Sequence, residues 1–260
     1  MTSRSSAAFY DSIALRYDTM LNRLPGDRWV RDAFLNLVRK TVKPGSPLLD
    51  FGCGTGTDAA WYAQHGYRVT AYDHSAEMLN QLRKKFPEEI RHGLIGLLSG
   101  DWDSFVLGVK SLPPHDAVVC DFAVVNEIPD LEPFFGTLAD CLSPNGVVIL
   151  SVLNPLRHGS AVLAGTRNRL DVRDDGSNGE LEWPNMDIYL YPVREIEAAA
   201  RSCFRMVRRV SAGTFIHYDN GEYSWDRPVG LSAHLEKKLW TIPPFSGMGK
   251  FLFMVFRKKK

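Results

Sequence analysis

LLDFGCGTGTDAA, residues 48–60, is the stretch from which the rest of the chain can be interpreted. A short apolar run is followed by Gly52, Gly54 and Gly56 at alternate positions, and then by alanines. Glycine loses more backbone entropy on folding than any other residue, so this clustering indicates positive φ angles or a close approach of another group to the backbone. The stretch therefore predicts a buried strand, a tight glycine turn and a helix.

Short apolar runs and helix-like segments alternate along the chain after this turn. Such alternation is typical of βα units and predicts an α/β fold, with a parallel sheet covered by helices on both faces. We expect strands over residues 48–51, 68–72, 95–98, 117–122, 147–153, 204–212 and 251–256. We expect helices over residues 58–64, 76–86, 131–142 and 193–203, the third of them closed by Ser-Pro-Asn-Gly.

A single domain over residues 1–260 is expected from length and composition, because 45% of the 260 residues are hydrophobic and 23% are charged, as in ordinary globular proteins. Segments 155–192 and 214–249 are too long to be simple connectors, so we expect insertions that cover the substrate end of the sheet. The second segment is rich in aromatic residues, which would suit an apolar acceptor or simply pack together. They are Phe215, Tyr218, Tyr223, Trp225, Trp240 and Phe245.

The charge balance and the cysteines argue against several classes of protein. Thirty-one Lys and Arg against 30 Asp and Glu give a net charge of +1, without the basic excess of a nucleic-acid-binding protein. The four cysteines form no CxxC pair, so neither a zinc site nor a disulfide framework is indicated. No stretch approaches the roughly 18 apolar residues that span a bilayer. We expect a cytoplasmic monomer or homodimer with no nucleic-acid or membrane partner.

A carboxylate follows the glycine turn at the distance that a nucleoside site would need. The predicted second strand reads RVTAYD, and Asp73 comes 21 residues after Gly52, near the ~20-residue spacing that places a carboxylate on ribose hydroxyls. A dinucleotide fingerprint would need its last glycine at position 57, where the chain has Thr57. Asp50, inside the turn, is a poor neighbour for phosphate and a good acceptor for an ammonium group. A nucleoside that carries an ammonium group fits this pattern better than a dinucleotide.

These motifs together resemble those of class I S-adenosylmethionine-dependent methyltransferases. D-x-G-x-G-x-G at Asp50–Gly56, with Asp73, resembles the first two motifs of that family. SGDWDSF, HDAVVCDFAVVNEIPD and CLSPNGVVILSVLNP resemble the segments around its third, fourth and fifth strands, with Asn145 in place of a glycine. FYDSIALRYDTML, residues 9–21, resembles the N-terminal helix that folds over the cofactor in many small-molecule members.

The resemblance implies a Rossmann-like fold with a seven-stranded, mostly parallel sheet, helices on both faces, an antiparallel last strand and lid insertions. Residues 1–40 would form an N-terminal helical cover, from which Tyr17, and less directly Tyr10, would close the pocket. The cofactor would be S-adenosyl-L-methionine, with S-adenosyl-L-homocysteine as the product.

The resemblance also implies individual contacts. At the nucleoside end, Asp73 would accept both ribose hydroxyls, His74 and Met78 would flank the adenine, Asp101 would accept from its amine, and Trp102 would add an aromatic or backbone contact.

At the methionine end, the backbone of residues 52–54 would lie against the cofactor, and Asp50 would hold its amino group. Asp121 and Phe122 would lie near the reacting sulfonium. Cys53, inside the turn, is expected to be a small buried hydrophobe and not a reactive thiol.

Structural roles are the alternatives for several of these residues. Asp73 could cap a helix that starts near Ser75. Trp102 could fill the core or the surface, and Asp121 could face solvent at the end of a strand.

No residue is assigned a catalytic role from the sequence. Alignment of nucleophile, methyl carbon and sulfur can contribute on the order of 7–11 kcal/mol, so a base is optional for a reactive nucleophile. For a hydroxyl acceptor, His158, His217 and Glu127 are candidate bases. No metal is expected, because only Asp121 and Asn154 roughly match the magnesium ligands of catechol-type members.

The expected activity is methyl transfer from S-adenosyl-L-methionine to a small-molecule acceptor through an O, N or C nucleophile. A cofactor-binding regulatory or partner subunit without catalysis is the alternative. An NAD-dependent oxidoreductase is a further alternative, which Thr57 disfavours.

Overall fold

The apolar run before the glycine turn forms a central strand of the main sheet. The computed structural model describes residues 4–23, 25–158, 168–171, 187–216 and 230–260. The strands are β1 (Pro47–Phe51), β2 (Arg68–Asp73), β3 (Ile95–Ser99), β4 (His115–Cys120), β5 (Leu142–Leu153), β6 (Asn168–Asp171), β7 (Asp187–Leu190), β8 (Phe204–Ala212) and β9 (Phe251–Lys258).

Helices pack around this sheet, and the first helices of the chain form the N-terminal cover. They are α1 (Arg4–Ile13), α2 (Tyr17–Arg23), α3 (Pro25–Thr41), α4 (Thr57–Gln64), α5 (Ala76–Lys85), α6 (Pro87–Arg91), α7 (Trp102–Lys110), α8 (Leu131–Asp140), α9 (Pro155–His158), α10 (Val193–Ala200) and α11 (Gly230–Leu239). Short 3-10 helices cover Val124–Glu127 and Phe245–Gly247. No helix in the described ranges has both the length and the apolar character needed to cross a membrane.

Seven of the described strands form one sheet in the order β3-β2-β1-β4-β5-β9-β8. Strands β1 to β5 are parallel, and β9 runs antiparallel to both of its neighbours. This confirms the mostly parallel, seven-stranded sheet with an antiparallel last strand. Strands β6 and β7 form a separate antiparallel ribbon that the sequence did not predict.

Strands β1, β4 and β9 are mostly apolar because both of their faces are buried. In β5, Ile149 packs into the core on one face of the sheet and Leu150 into the core on the other. The first core holds α3 residues such as Trp29 and Phe34. The second core holds α8 residues such as Phe135.

The predicted end of the third helix was wrong. Helix α8 ends at Asp140, and β5 already begins at Leu142, so Ser-Pro-Asn-Gly lies within the bounds of the strand. The register runs from His115 opposite Leu142 to Ala117 opposite Val147, which leaves residues 143–146 as a bulge. Asn145 takes a positive φ of 65° there, a conformation that asparagine tolerates better than most residues.

Only parts of the two predicted insertions are described, and their role as substrate covers stays a prediction. Trp240 is buried 6.4 Å from the Phe253 ring, and Phe215 lies 5.2 Å from Phe245, measured between ring centroids. These three described aromatic residues of segment 214–249 therefore pack within the fold. Tyr218, Tyr223 and Trp225 lie outside the described residues.

Candidate active site

The glycine turn folds back onto β2 and leaves almost no space for side chains. The N–H groups of Gly52 and Cys53 both donate to the Tyr72 carbonyl, at 2.8 and 2.9 Å. Gly52 and Gly56 both have φ of +79°, and a Cβ there would lie 2.5 Å from Val124 Cγ2 and 2.3 Å from Leu82 Cγ, respectively. The turn therefore requires glycine for both conformation and packing.

A cavity of about 800 Å³, a volume that includes its solvent-filled entrance, lies against this turn. The carboxyl ends of β1, β2 and β4 form its floor, which is where open α/β sheets bind ligands. Ten of the twelve expected cofactor residues line it: Tyr17, Asp50, Gly52, Cys53, Gly54, Asp73, His74, Met78, Asp121 and Phe122.

Asp73 ends β2 and holds the glycine turn to the start of α5. Its Oδ2 accepts from Gly54 N at 2.8 Å and its Oδ1 from Ser75 N at 2.9 Å. The N-cap of α5 is Ser75, whose Oγ accepts from Met78 N at 3.1 Å. Burial raises the pKa of Asp73 in spite of these hydrogen bonds, so an ionised Asp73 favours a further donor or cation beside it.

Asp50 is a buried carboxyl group beside the turn, and its Oδ2 has no hydrogen-bond partner among the described residues. Burial, with the neighbouring carboxylates Asp58, Asp121 and Asp73, raises its pKa well above the ordinary value. An unsatisfied buried oxygen is costly, and a cation placed next to it would remove that cost.

Arg31 of α3 and Asp58 of α4 also line this cavity, and the sequence reasoning missed both. Arg31 Nε lies 3.0 Å from Asp58 Oδ1, and the Arg31 guanidinium stacks 5.1 Å over the Phe122 ring. Arg31 interrupts a run of buried apolar residues in α3, and Asp58 is in the first turn of the helix after the glycines. Those positions were available signals for both residues.

Asp121 comes directly after β4, and both of its described hydrogen bonds are accepted by the same carboxylate oxygen. Its Oδ1 accepts from Ser151 Oγ at 2.8 Å and from Phe122 N at 2.7 Å, whereas its Oδ2 has no hydrogen-bond partner in the part of the chain that the structure describes. Burial, followed by the Asp58 carboxylate, raises the pKa of Asp121 to about 8. Asp121 is only 9% exposed, so the expected alternative of a solvent-facing strand end is wrong.

Tyrosines of the N-terminal helices cover the cavity. The Tyr17 ring packs on Gly54. The Tyr10 ring makes an edge contact with the Tyr17 ring, with 6.2 Å between the ring centroids. Tyr10 Oη donates to Glu127 Oε1 at 2.6 Å, and Ser6 Oγ donates to Glu127 Oε2 at 2.5 Å. Both oxygens of Glu127 are thus engaged by α1.

Two further sets of polar contacts, here called clasps, join the cover to the rest of the fold. Asp11 accepts from Ser75 Oγ at 2.6 Å, at the start of α5. Asp18 accepts from Thr55 Oγ1 and pairs with Lys85 Nζ, both at 2.5 Å. The cover is therefore joined to the glycine turn, to α5 and to the segment after β4.

Some expected residues lie elsewhere. Asp101 is exposed and caps α7, where its Oδ1 accepts from Ser104 N at 3.0 Å. Trp102 packs beside Phe51 and Phe105, at centroid distances of 6.4 and 5.5 Å. Neither residue is on the cavity wall.

Of the candidate bases, only Glu127 has a described side chain on the cavity wall. The side chain of His158 lies outside what the structure describes, as does the whole of His217.

The described part of the chain gathers no three His, Cys, Asp or Glu side chains as metal ligands. Asn154, a rough match to a magnesium ligand, is already engaged: its amide donates to the carbonyls of Gly247 and Gly249 and accepts from Leu156 N. The four cysteines are free thiols, and Cys53 is buried.

The cavity is strongly acidic among the described residues that line it. Asp50, Asp58, Asp73, Asp121 and Glu127 contribute five carboxyl groups, against the single guanidinium of Arg31. Such a cavity attracts a cationic ligand and disfavours a polyanionic one.

Curated relatives match only part of this chain. A dTDP-3-amino-3,4,6-trideoxy-alpha-D-glucopyranose N,N-dimethyltransferase of Streptomyces venezuelae is 31% identical over 118 residues, which cover 44% of this chain and 46% of that protein. The chain spans about half or less of the length of the first curated relatives it matches.

Solved structures with the same fold cover most of the chain. The CcbJ methyltransferase of Streptomyces caelestis has a TM-score of 0.58 at 18% identity, covering 95% of this chain and 96% of that one. The N-methyltransferase NodS of Bradyrhizobium japonicum, solved with S-adenosyl-L-homocysteine, has a TM-score of 0.51 at 14% identity, covering 88% and 86%.

The model of the methyltransferase domain family matches residues 26–200, which include the glycine turn, Asp73 and Asp121. The sheet order and the position of the cavity agree with that match. The chain belongs to the methyltransferase domain family, with the class I fold of S-adenosylmethionine-dependent enzymes.

Proposed function

We propose that this protein transfers the methyl group of S-adenosyl-L-methionine to a small-molecule acceptor and binds that donor in the cavity beside the glycine turn. The observation that carries the proposal is Asp50, a buried carboxyl group next to a turn that requires glycine, whose Oδ2 has no hydrogen-bond partner among the residues that the structure describes. The donor's amino group supplies the cation and hydrogen-bond donor that this oxygen lacks.

The residues at the methionine end fit a zwitterion. Asp50 would bind the ammonium group, and Arg31 would bind the carboxylate, since its guanidinium has donors beyond the one facing Asp58. Gly52 and Gly54 would lie along the chain between these charges. When bound, the donor supplies a methyl group activated by a positively charged sulfur.

The residues at the nucleoside end fit a ribose and a purine ring. Each Asp73 oxygen holds one backbone N–H and can accept a second hydrogen bond, which leaves capacity for two ribose hydroxyls. His74 and Met78 would flank the adenine, and Tyr17 would exclude water from above. Asp101 and Trp102, placed off the wall, stay predictions as adenine contacts.

The acceptor is proposed to be a small molecule in the cytoplasm, with transfer to an O, N or C atom. The near-neutral charge of the chain and a relative that acts on an amino sugar nucleotide support this. The chain would contribute alignment and exclusion of water, which can supply on the order of 7–11 kcal/mol.

Titration calorimetry tests donor binding. We expect saturable binding of S-adenosyl-L-methionine and of S-adenosyl-L-homocysteine, and none of NAD. The Asp73→Asn variant should bind the donor about 10–100-fold more weakly, because a hydrogen bond to a charged group contributes about 1.5–3 kcal/mol. Asp116→Asn, a change on β4 away from the cavity, is the matched control. Binding of NAD alone would refute the proposal.

Catalysis needs a separate measurement. Incubation of metabolite extracts with donor labelled in the methyl group should give labelled product masses that are missing when Asp73→Asn replaces the wild type. Tight donor binding without any labelled product across diverse extracts would instead indicate a regulatory or partner subunit.

A further inference from the structure

Asp121 presents one free carboxylate oxygen to the cavity. Ser151 Oγ and Phe122 N both donate to Oδ1, so the carboxyl group is fixed in orientation, while no described residue forms a hydrogen bond with Oδ2. The side chain is nine-tenths buried and lines the cavity. The next residues, Phe122 and Ala123, take positive φ angles of 49° and 64°, conformations that non-glycine residues adopt uncommonly.

Three of the five carboxyl groups on the described wall already have partners on both oxygens or in an ion pair. Asp73 holds two backbone N–H groups, Glu127 holds Tyr10 and Ser6, and Asp58 pairs with Arg31. Among the described residues, Asp50, Asp58 and Asp121 each have one oxygen without a hydrogen-bond partner, but that of Asp58 lies 3.0 Å from Arg31 Nε in the ion pair. The oxygens of Asp50 and Asp121 therefore remain for ligands.

The proposed methyl donor brings only one ammonium group, and Asp50 beside the glycine turn is its natural partner. Asp121 therefore keeps a free oxygen after the donor is bound. A contact between Asp121 and the donor's sulfonium would stabilise a charge that disappears during transfer, which would slow the reaction. A contact with a nitrogen nucleophile has no such cost, because the free oxygen can take up the proton that the nitrogen must lose before it reacts.

We propose that the methyl acceptor is an amine and that Asp121 Oδ2 binds its nitrogen, an inference that rests on the proposed function above. An ammonium group would satisfy the free oxygen with both charge and hydrogen bonds. A neutral hydroxyl would offer one hydrogen bond but no charge to pair with an ionised Asp121.

The transfer step balances with Asp121 as the proton acceptor. The entering ammonium gives one proton to Oδ2, and the neutral nitrogen lone pair then forms the N–C bond as the C–S bond breaks and its electron pair stays on sulfur. The product leaves as a methylated ammonium, and the Asp121 proton passes to solvent. Burial and Asp58 raise the pKa of Asp121, and Ser151, Phe122 N and Arg31 oppose this rise. The net pKa is about 8, high enough for Asp121 to accept a proton from an amine.

Matched pairs of amines and alcohols test the inference by binding. The protein, saturated with S-adenosyl-L-homocysteine, is titrated with benzylamine against benzyl alcohol and with cyclohexylamine against cyclohexanol. We expect the amine of at least one pair to bind at least tenfold more tightly than its alcohol. In Asp121→Asn that preference should fall at least tenfold.

The control variant is Asp116→Asn. Asp116 lies on β4, the strand that Asp121 follows, and it also accepts from a serine of β5, with Ser143 Oγ 2.8 Å from its Oδ1, but it is not on the cavity wall. It should keep the amine preference. Equal or tighter binding of the alcohols, no amine binding in either pair, or an unchanged preference in Asp121→Asn would overturn the inference.

The affinity for S-adenosyl-L-homocysteine separates this inference from the proposed function. A wild-type protein that does not bind the nucleoside refutes the proposed function itself. A protein that binds it and shows no amine preference refutes only the amine acceptor. If Asp121→Asn does not fold, the wild-type comparison of amine with alcohol decides alone.

Discussion

The Tyr17 ring lies directly on Gly54, so that a Cβ at Gly54 would be 3.2 Å from Tyr17 Cε1. The turn is therefore bounded by the N-terminal cover on the side where the cavity lies. Because Gly54 has φ of +53°, alanine there is strained as well as crowded.

Gly54→Ala should weaken binding of S-adenosyl-L-homocysteine at least tenfold, since the new methyl group displaces Tyr17 and narrows the cavity. Gly66→Ala is the control, because Gly66 has φ of +85° and a Cβ there would make only an ordinary contact at 3.7 Å. Both variants should lose about 1–2 kcal/mol of stability from the left-handed conformation. Equal nucleoside affinities in the two variants, measured by calorimetry, would contradict the prediction.

The clasp at Asp18 should control how fast the nucleoside leaves. Burial works against ionisation of Asp18, but hydrogen bonds from Lys85 and Thr55 hold its pKa below the ordinary value. Asp18→Ala removes these bonds and should speed dissociation of S-adenosyl-L-homocysteine about three- to tenfold, because exposed pairs contribute about 1 kcal/mol or less and the threonine adds to that.

Stopped-flow dissociation measures this rate. The control is Asp140→Ala, which removes an exposed pair, 4.0 Å from Lys110, at a distance from the cover. An Asp18→Ala dissociation rate equal to that of the control would show that the clasp does not hold the cover closed.

The stability of the ligand-free protein should fall as pH rises. Asp121 has a pKa of about 8 in the fold and near 3.9 in the unfolded chain, so its contribution is complete below about pH 4 and is lost as pH rises to 8. The slope is at most about 1.4 kcal/mol per pH unit for one such group. Asp121→Asn lacks this loss and should gain stability relative to wild type between pH 5 and 8.

Urea unfolding at four pH values checks the sign. Asp116→Asn, on the strand that Asp121 follows, is the matched variant for comparison. Parallel pH profiles for wild type and Asp121→Asn would mean that Asp121 is ionised in the fold at low pH, contrary to its burial.

Asp101 offers a test of the sequence-based adenine contact. Asp101→Ala removes the N-cap of α7 and should cost about 1 kcal/mol of stability while leaving nucleoside affinity unchanged, since Asp101 is off the cavity wall. A loss of affinity similar to that of Asp73→Asn would restore the adenine role that its motif predicted.

Sequence patterns predicted the fold well where local and global signals agree. Strand 204–212 was predicted with its observed bounds, and the turn at Gly52–Gly56 was predicted from conformational cost alone. Ser-Pro-Asn-Gly was misinterpreted because the pairing of β5 with β4 absorbs these residues as a bulge, which no local pattern indicates.

The sequence predicted the site residues that lie close together along the chain. Asp50 and Asp73 lie on adjacent parallel strands next to the turn, so spacing revealed them. Arg31 comes from a helix that the sequence offered only as cover, and its pairing with Asp58 depends on how α3 packs across α4. Contacts between helices have no signature in residue spacing.

Because carboxyl groups outnumber basic groups on the described wall of the cavity, binding of a cation there is coupled to release of protons. Without ligand, the buried carboxyl groups of Asp50 and Asp121 hold protons at pH values where free aspartate is ionised. The ammonium group that Asp50 is proposed to bind would take the place of the Asp50 proton, which then passes to solvent. Each filling of the site therefore acidifies its surroundings slightly, and the acidity of the surroundings in turn sets how readily the site fills.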